Sequence, residues 1–470
     1  MKKKENKIVK NYLYNISYQI VVTVLPIITT PYLTRVLGAD NLGIARYVES
    51  IATLFTVFGL LGMVWYADRA IAYKRGNIQS VSKCFWEIFF LRIVLLILTL
   101  IIYFAFVWNK EYDIYFKIYG IFIVGTFLDI SWFFTGIEEM KPVVIRNYIV
   151  RGIFTVSLFL FIRKRTDLDV YVWLMCLMIL ANAILIFPWI KKYVSYVPLK
   201  KIHIWSHLLP SLTLFLPQAA SQLYVQCDKV MIKNMISDVA YVSYYTENEK
   251  IAKLPIILAT ALSTVLMPRI AYEFSKGRDE QVKEYIKKAL FLTLIVLLPC
   301  CTGMMAVANN FVPIFLGAEF ADTYKILIML CPTMVFIGIS NVTGIQYLVA
   351  VNKNRELTIS YFVALIINLI LNFLLIPRWG VYGAVIGTVA AEGASALVQY
   401  YYMSKYIGKT IESVVLLKLL LLSIIMGICV YLINYLEMAH MFTLIIQVIV
   451  GVLIYGGGIL YIKSHRREKC

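Results

Sequence analysis

The chain has 470 residues, 61% of them apolar and only 15% charged, with a net charge of +18; soluble globular domains carry roughly 25% charged residues. A mean hydropathy of +0.77 excludes a water-soluble fold for most of the chain. A nucleic-acid reading of the basic excess is excluded as well, because the lysines and arginines fall in short clusters between apolar runs rather than on one basic domain.

The N-terminus opens on Lys2, Lys3, Lys4, Lys7 and Lys10, as a secretory leader does. The apolar run behind them is too long for a leader and lacks a small-residue cleavage site, so it is expected to stay as a first span. Apolar windows bounded by charge then predict an all-α polytopic membrane protein with about fourteen transmembrane helices. They lie near 11–34, 43–66, 84–107, 114–137, 142–162, 169–190 and 208–232, then 240–268, 286–308, 324–349, 357–377, 380–404, 413–435 and 441–463. Alternate loops hold roughly 28 lysines and arginines against roughly 7. The richer side is the cytoplasmic one by the positive-inside rule, which places both termini in the cytoplasm and the chain in the cytoplasmic (inner or plasma) membrane. The polar stretch from Tyr272 to Lys288 is expected to form an amphipathic helix on the inner face.

Shifting the sequence by 198 aligns Arg35 with Lys233, Asp40 with Asp238, Tyr47 with Tyr245 and Glu49 with Glu247. All four pairs flank the turn between the first two spans of each half. The expected organisation is therefore a six-helix bundle over 1–197, a second over 198–405, and two appended helices with a basic tail over 406–470. Six spans is an even number, so the repeat is parallel, as in some transporters.

An ionisable group deep in a span costs at least about 2.5 kcal/mol, so it normally faces a cavity or a partner. Span two carries Arg46 and Glu49, which share a helix face. Span eight carries Glu247 with Lys250 and Glu249 with Lys253, beside Tyr245. The cavity reading of these pairs stands beside a plain one, in which acid and base one turn apart neutralise each other. Asp129 and Glu392, with Glu49 and Glu247, are the acids available for ion coupling. Arg146 and Arg151 are expected to snorkel to the interface, and Glu87 and Arg92 to do the same. Asn11, Asn15, Gln19 and Thr23 form a polar stripe on span one, and Gln218, Gln222 and Gln226 one on span seven. Each stripe faces protein or water, either as interhelical hydrogen bonds or as part of a cavity lined by Asn15, Gln19, Gln218, Gln222 and Tyr245. Pro26, Pro31, Pro210, Pro217 and Pro255 mark hinge positions in the same helices. Scattered cysteines and four histidines without ligand spacing predict no metal, no cofactor, no structural disulfide and no catalytic centre.

Six segments in order, PYLTRVLGADNLGIARY (31–47), YADRAIAYKRGN (66–77), WFFTGIEEMKPVVIRN (132–147), EKIAKLPIILATALSTVLMPRIA (249–271), GIQYLVAVNKNRE (344–356) and INLILNFLLIPRWGVYGAVIGTVAAEG (367–393), resemble the Wzx-type oligosaccharide repeat-unit flippases. These belong to the multidrug, oligosaccharidyl-lipid and polysaccharide exporter superfamily, and the resemblance covers most of 11–405. It implies two six-helix bundles around a polar, partly cationic central cavity. It also implies alternating-access export of a polyprenyl-pyrophosphate-linked oligosaccharide for capsule, O-antigen or exopolysaccharide synthesis. On that reading Arg46, Lys250 and Lys253 hold the pyrophosphate and the amide stripes hold the sugars. Position 46 departs from the aromatic residue expected in many relatives. Membrane lipid, H+ or Na+ as coupling ion, and polysaccharide-synthesis enzymes are the further expected partners. A peptidoglycan lipid-precursor flippase and a multidrug antiporter share the plan. A membrane glycan polymerase or ligase fits less well, because the external loops are short.

Overall fold

The computed structural model describes the backbone of residues 2–436 and 439–467. Side chains are described over 21–461, apart from 23, 199, 260–265, 268, 437 and 438. Every regular element among the described residues is helical. Eleven segments among them are long and apolar enough to cross a bilayer, so the chain is a multi-pass helical membrane protein. The segment Val24–Leu60 counts once in that number although it holds two helices. Helix α1 runs Lys2–Leu60, but at Gly38 the backbone leaves the helix with φ 76 and ψ 176. A left-handed φ of this kind favours glycine. The Arg165 guanidinium lies 2.5 Å from where a Cβ would stand, so a side chain there would also have to displace that flexible arginine end. The 198-residue offset carries Gly38 to Ile236, and the second half breaks at the same place, between α9 (Leu208–Met235) and α10 (Ala240–Lys253). Asp238 caps that restart by accepting the Ala240 N–H at 2.8 Å.

Two compact units divide the chain, residues 1–230 and 231–470. The division falls within the last turns of α9, so most of that helix packs with the first unit. Phe58 stacks edge-on against Phe215 with ring centroids 5.7 Å apart, and His207, at the foot of α9, is buried against Glu87 at 3.0 Å. These contacts fasten α9 to the first unit.

The first unit continues after α1 with a short α2 (Met63–Tyr73), then α3 (Ile78–Val107) and α4 (Asp113–Leu128). A broken turn leads to α5 (Ser131–Gly136), followed by α6 (Lys141–Phe161), α7 (Leu168–Ile184) and α8 (Phe187–Ile190). Its two ends are tied separately. At one, Asn41 donates to the Arg165 carbonyl at 2.7 Å and the Tyr32 hydroxyl donates to the Ile162 carbonyl. At the other, Arg75 meets Glu138 at 2.6 Å, and Trp86 donates to the Ser195 carbonyl at 3.1 Å. Loops that the span alternation assigns to one side therefore do meet on one side.

In the second unit α11 (Ile256–Ser275) turns at Gly277 into α12 (Asp279–Leu316). The expected amphipathic helix over 272–288 is thus divided: its polar residues end α11 and begin α12. At 1.5 Å per residue the 38 residues of α12 extend about 57 Å, well past a hydrocarbon core about 30 Å thick, so a polar first third projects beyond it. Short α13 (Tyr324–Leu330) and α14 (Pro332–Ser340) lead to a π-helical stretch, Asn341–Val349. There Thr343 donates to Gln399 Oε1 at 3.3 Å, and Gln399 donates to Ser360 and Ser395, each at 3.0 Å. The hairpin of α15 (Asn354–Trp379) and α16 (Val381–Ile407) follows, then α17 (Ser413–Leu432) and α18 (His440–Arg467).

Gly383 sets the spacing of that hairpin, since a Cβ there would lie 2.4 Å from the Leu375 backbone. Small residues permit this close approach of backbones. Gly152 is the contrast: exposed on α6, with nothing within 4 Å of a Cβ. Gly383→Ala is expected to cost about 1–3 kcal/mol by overpacking, and Gly152→Ala to gain about 0.5–1 kcal/mol in helix propensity. Thermal midpoints of the two purified variants should move in opposite directions; a shift of both in the same direction would contradict this packing.

Candidate functional site

On α10, Lys250 donates to both oxygens of Glu247 at 2.8 and 2.9 Å, and Lys253 donates to Glu249 at 2.6 Å. Spacing of three and four residues makes these one-turn pairs. They are asymmetric. The carboxylates are 1% and 8% exposed while the ammonium ends are 36% and 30% exposed. Acid is thus packed into the helix bundle and positive charge is turned outward. Asn248 anchors the buried side of α10 by donating to the Tyr244 carbonyl and to Thr323 Oγ1, each at 2.8 Å. Tyr245 also belongs to that side: it is fully buried, with its hydroxyl 2.9 Å from Thr388 Oγ1.

The matching pair in the first unit has the opposite sense. Arg46 donates to Glu49 at 2.9 Å, with the guanidinium 11% and the carboxylate 30% exposed. Its outward end is acidic, so the equivalence between Glu49 and Glu247 holds in sequence but not in presented charge. On α9, Gln222 is half-buried and Gln218 is 8% exposed. The Gln218 carbonyl oxygen has no hydrogen-bond partner among the described residues. Asn15 and Gln19 lie outside the residues whose side chains are described.

Asp129 pairs with Arg146 at 3.0 Å. Arg146 does not snorkel: it is 4% exposed and donates to Asp129, Asn147, Ser131 and the Asn182 carbonyl at 2.6–3.1 Å. Arg92 is buried too. It donates to the Thr126 and Phe127 carbonyls at 2.8 and 2.9 Å, which are left without helical partners where α4 breaks. Both arginines serve the interruption between α4 and α5, where a cation suits the negative end of the helix dipole. Glu392 is buried at 4% on α16.

A buried network that the sequence reading did not assemble lies at the foot of α9. Glu87 accepts the His203 backbone N–H at 3.0 Å and lies 3.0 Å from His207 Nε2, while Tyr66 is 2.7 Å from His207 Nδ1. The partners are 120 and 141 residues apart, so no spacing in the sequence announces them. Burial holds the His207 imidazole below its ordinary value, against the opposing pull of Glu87. The unfolded chain therefore takes up a proton that the folded protein resists, and stability falls as pH drops through about 6.5. His207→Asn, which cannot titrate, should flatten thermal stability over that range. An unchanged pH slope in the variant would remove His207 from the effect.

Buried carboxylates paired with outward ammonium groups, on a scaffold of long apolar helices, are what a polytopic helical transporter carries. A family model described as "Polysaccharide biosynthesis protein" matches residues 8–274, and one described as "Lipid II flippase MurJ" matches residues 150–452. The chain belongs to the polysaccharide biosynthesis protein family. It is 26% identical over 378 residues to a protein of Escherichia coli (strain K12) named "Putative O-antigen transporter", covering 78% of this chain and 90% of that one. Its fold is similar to that of a lipid II flippase MurJ in an inward closed conformation. The TM-score is 0.74 at 19% identity, over 96% of this chain and 99% of the other. It is also similar to an inward-facing multidrug resistance MATE family transporter, with TM-score 0.61 at 16% identity over 83% and 98%. The protein is a transporter and not an enzyme.

Proposed function

We propose that the chain flips a polyprenyl-pyrophosphate-linked oligosaccharide from the cytoplasmic to the outer leaflet of the cytoplasmic membrane by alternating access. The product would feed capsule, O-antigen or exopolysaccharide synthesis. The observation that carries this reading is the polarity of α10, where two ammonium groups on one helix face turn outward with their carboxylates buried behind them. Two cations at that spacing suit a diphosphate, and charge-assisted bonds are the strong ones. Gln218, whose buried carbonyl oxygen finds no donor among the described residues, suits a sugar hydroxyl. Arg46 is the weaker anion ligand, because its guanidinium is the less exposed end of its pair. The reading takes the membrane plan as fourteen spans in two bundles of six plus two, with both termini cytoplasmic.

Purified protein in lipid vesicles should move a fluorescent lipid-linked oligosaccharide to the opposite leaflet faster than protein-free vesicles. Equal rates would end the proposal. Glu49 and Asp129 are the acids to test first for proton or sodium coupling, each being the more exposed member of its pair. Imposed pH, sodium and voltage gradients separate the drives, 100 mV being worth about 2.3 kcal/mol per charge. A rate indifferent to all three removes coupling.

The match over residues 150–452 favours one second reading, a peptidoglycan lipid-precursor flippase. A deletion strain divides the two: loss of surface polymer with normal wall growth supports the repeat-unit substrate, and arrested wall growth supports the other.

A further inference from the structure

On the second unit a cleft of about 270 Å³ opens between the projecting start of α12 and the first turns of α17. Its floor is apolar. Leu294 and Leu419 are 4% and 2% exposed and belong to one packed cluster, with Val415 and Leu416 against it. Its mouth is polar and carries both signs: Lys287 faces Glu412 at 3.8 Å and Lys288 faces Glu284 at 4.0 Å. Those separations are ion pairs and too long for hydrogen bonds, so the ammonium donors are not consumed by the carboxylates. Between mouth and floor sits Thr410, 4% exposed. Its hydroxyl is buried and has no hydrogen-bond partner among the described residues. A buried hydroxyl without a partner is a standing cost that a bound acceptor relieves.

From Lys287 to Leu294 the helix rises about 10 Å, and over that distance the lining changes from charged to wholly apolar. A soluble anion would use only the mouth and an alkane only the floor; an amphiphile of membrane-lipid dimensions uses both. We propose that this cleft holds a resident glycerophospholipid whose headgroup carries a phosphate and a primary ammonium. The phosphate takes Lys287, Lys288 and the Thr410 hydroxyl. The ammonium lies towards Glu284 and Glu412, and an acyl chain lies over Leu294, Val415 and Leu419. The mixed charge of the mouth selects this headgroup over a purely anionic one, because two carboxylates would repel a second negative group. The lipid is a wedge between α12 and α17 and not transported cargo.

The test uses the full-length protein purified in detergent and delipidated, with thermal midpoint and native mass spectrometry as readouts. Phosphatidylethanolamine should raise the midpoint and remain bound one per chain. Phosphatidylglycerol and diacylglycerol should do so more weakly. Thr410→Val keeps the shape of the side chain and removes the hydroxyl. It should fold normally and bind phosphatidylethanolamine about ten-fold more weakly, the loss of one hydrogen bond to a charged acceptor. Lys288→Gln, at an exposed position, should weaken binding in the same direction and serves if Thr410→Val misfolds. Equal response to all three lipids in the wild type and both variants would overturn the site. A preference for phosphatidylglycerol would overturn the headgroup assignment, and displacement of the lipid by a polyprenyl phosphate would overturn its separation from transport.

Discussion

The paired variant Glu247→Gln/Lys250→Gln is expected to reach the membrane folded and to lose about ten- to one-hundred-fold of its transport rate. That range corresponds to one hydrogen bond between charged groups, about 1.5–3 kcal/mol. Pairing the substitutions matters because of where the two charges sit. Glu247 is 1% exposed and Lys250 36%. Lys250→Gln alone strips a buried carboxylate of its ammonium partner, and breaking a buried pair in this way costs about 3–5 kcal/mol. Loss of export in the single variant would then mix misfolding with loss of an anion contact. With both residues amides, the Glu247 position keeps a neutral hydrogen-bonding group and the outward charge is removed without leaving a buried carboxylate unpaired. Export at the wild-type rate, with normal protein levels, would take Lys250 out of the mechanism.

Arg46→Gln/Glu49→Gln tests the asymmetry between halves. Its outward charge is negative, so its removal should weaken binding of an anionic carrier less than removal of the α10 pair does and change the response to an imposed gradient. Equal binding defects in the two paired variants would mean that exposure does not distinguish them.

Much of the fold is legible because hydropathy reports depth. The spans expected at 142–162, 357–377, 380–404 and 413–435 coincide with α6, α15, α16 and α17 to within a few residues. Depth does not report backbone continuity, and the misreadings follow from that. The second expected span ends at Leu60, and α2 is a separate helix. The fourth breaks at Asp129, and the eighth divides at Leu254 and Pro255 between α10 and α11. The charge pairs followed the same division. Arg46 with Glu49 and Lys250 with Glu247 were readable because one helical turn fixes the partner. The sequence could not say which member of each pair turns outward, since that depends on what packs behind the helix. Arg146 and Arg92 looked like interfacial residues, because their partners are backbone and side-chain atoms of other helices. Nothing local in the sequence marks a carbonyl as orphaned by a break in its helix.

That dependence on a distant break makes Arg146 the position where substitution should cost most. It is 4% exposed and its guanidinium bridges α6, the Asp129–Ser131 interruption and the Asn182 carbonyl on α7. Arg146→Ala leaves Asp129, Ser131 and Asn182 with fewer donors and opens a cavity, for an expected loss of about 3–5 kcal/mol. Arg146→Lys should recover little, because an ammonium is a point donor and cannot span four acceptor groups. The part of the loss that comes from the ion pair is separable. In Arg146→Met/Asp129→Asn no carboxylate is left without its cation, so the double variant should be more stable than Arg146→Met alone, with a coupling energy of about 0.5–3 kcal/mol. Thermal unfolding of Arg146→Met, Asp129→Asn and the double variant in detergent measures it. Additive losses would mean that Asp129, 36% exposed, is solvated well enough to need no partner. Arg146 would then hold the unit together through Asn147, Ser131 and Asn182 alone.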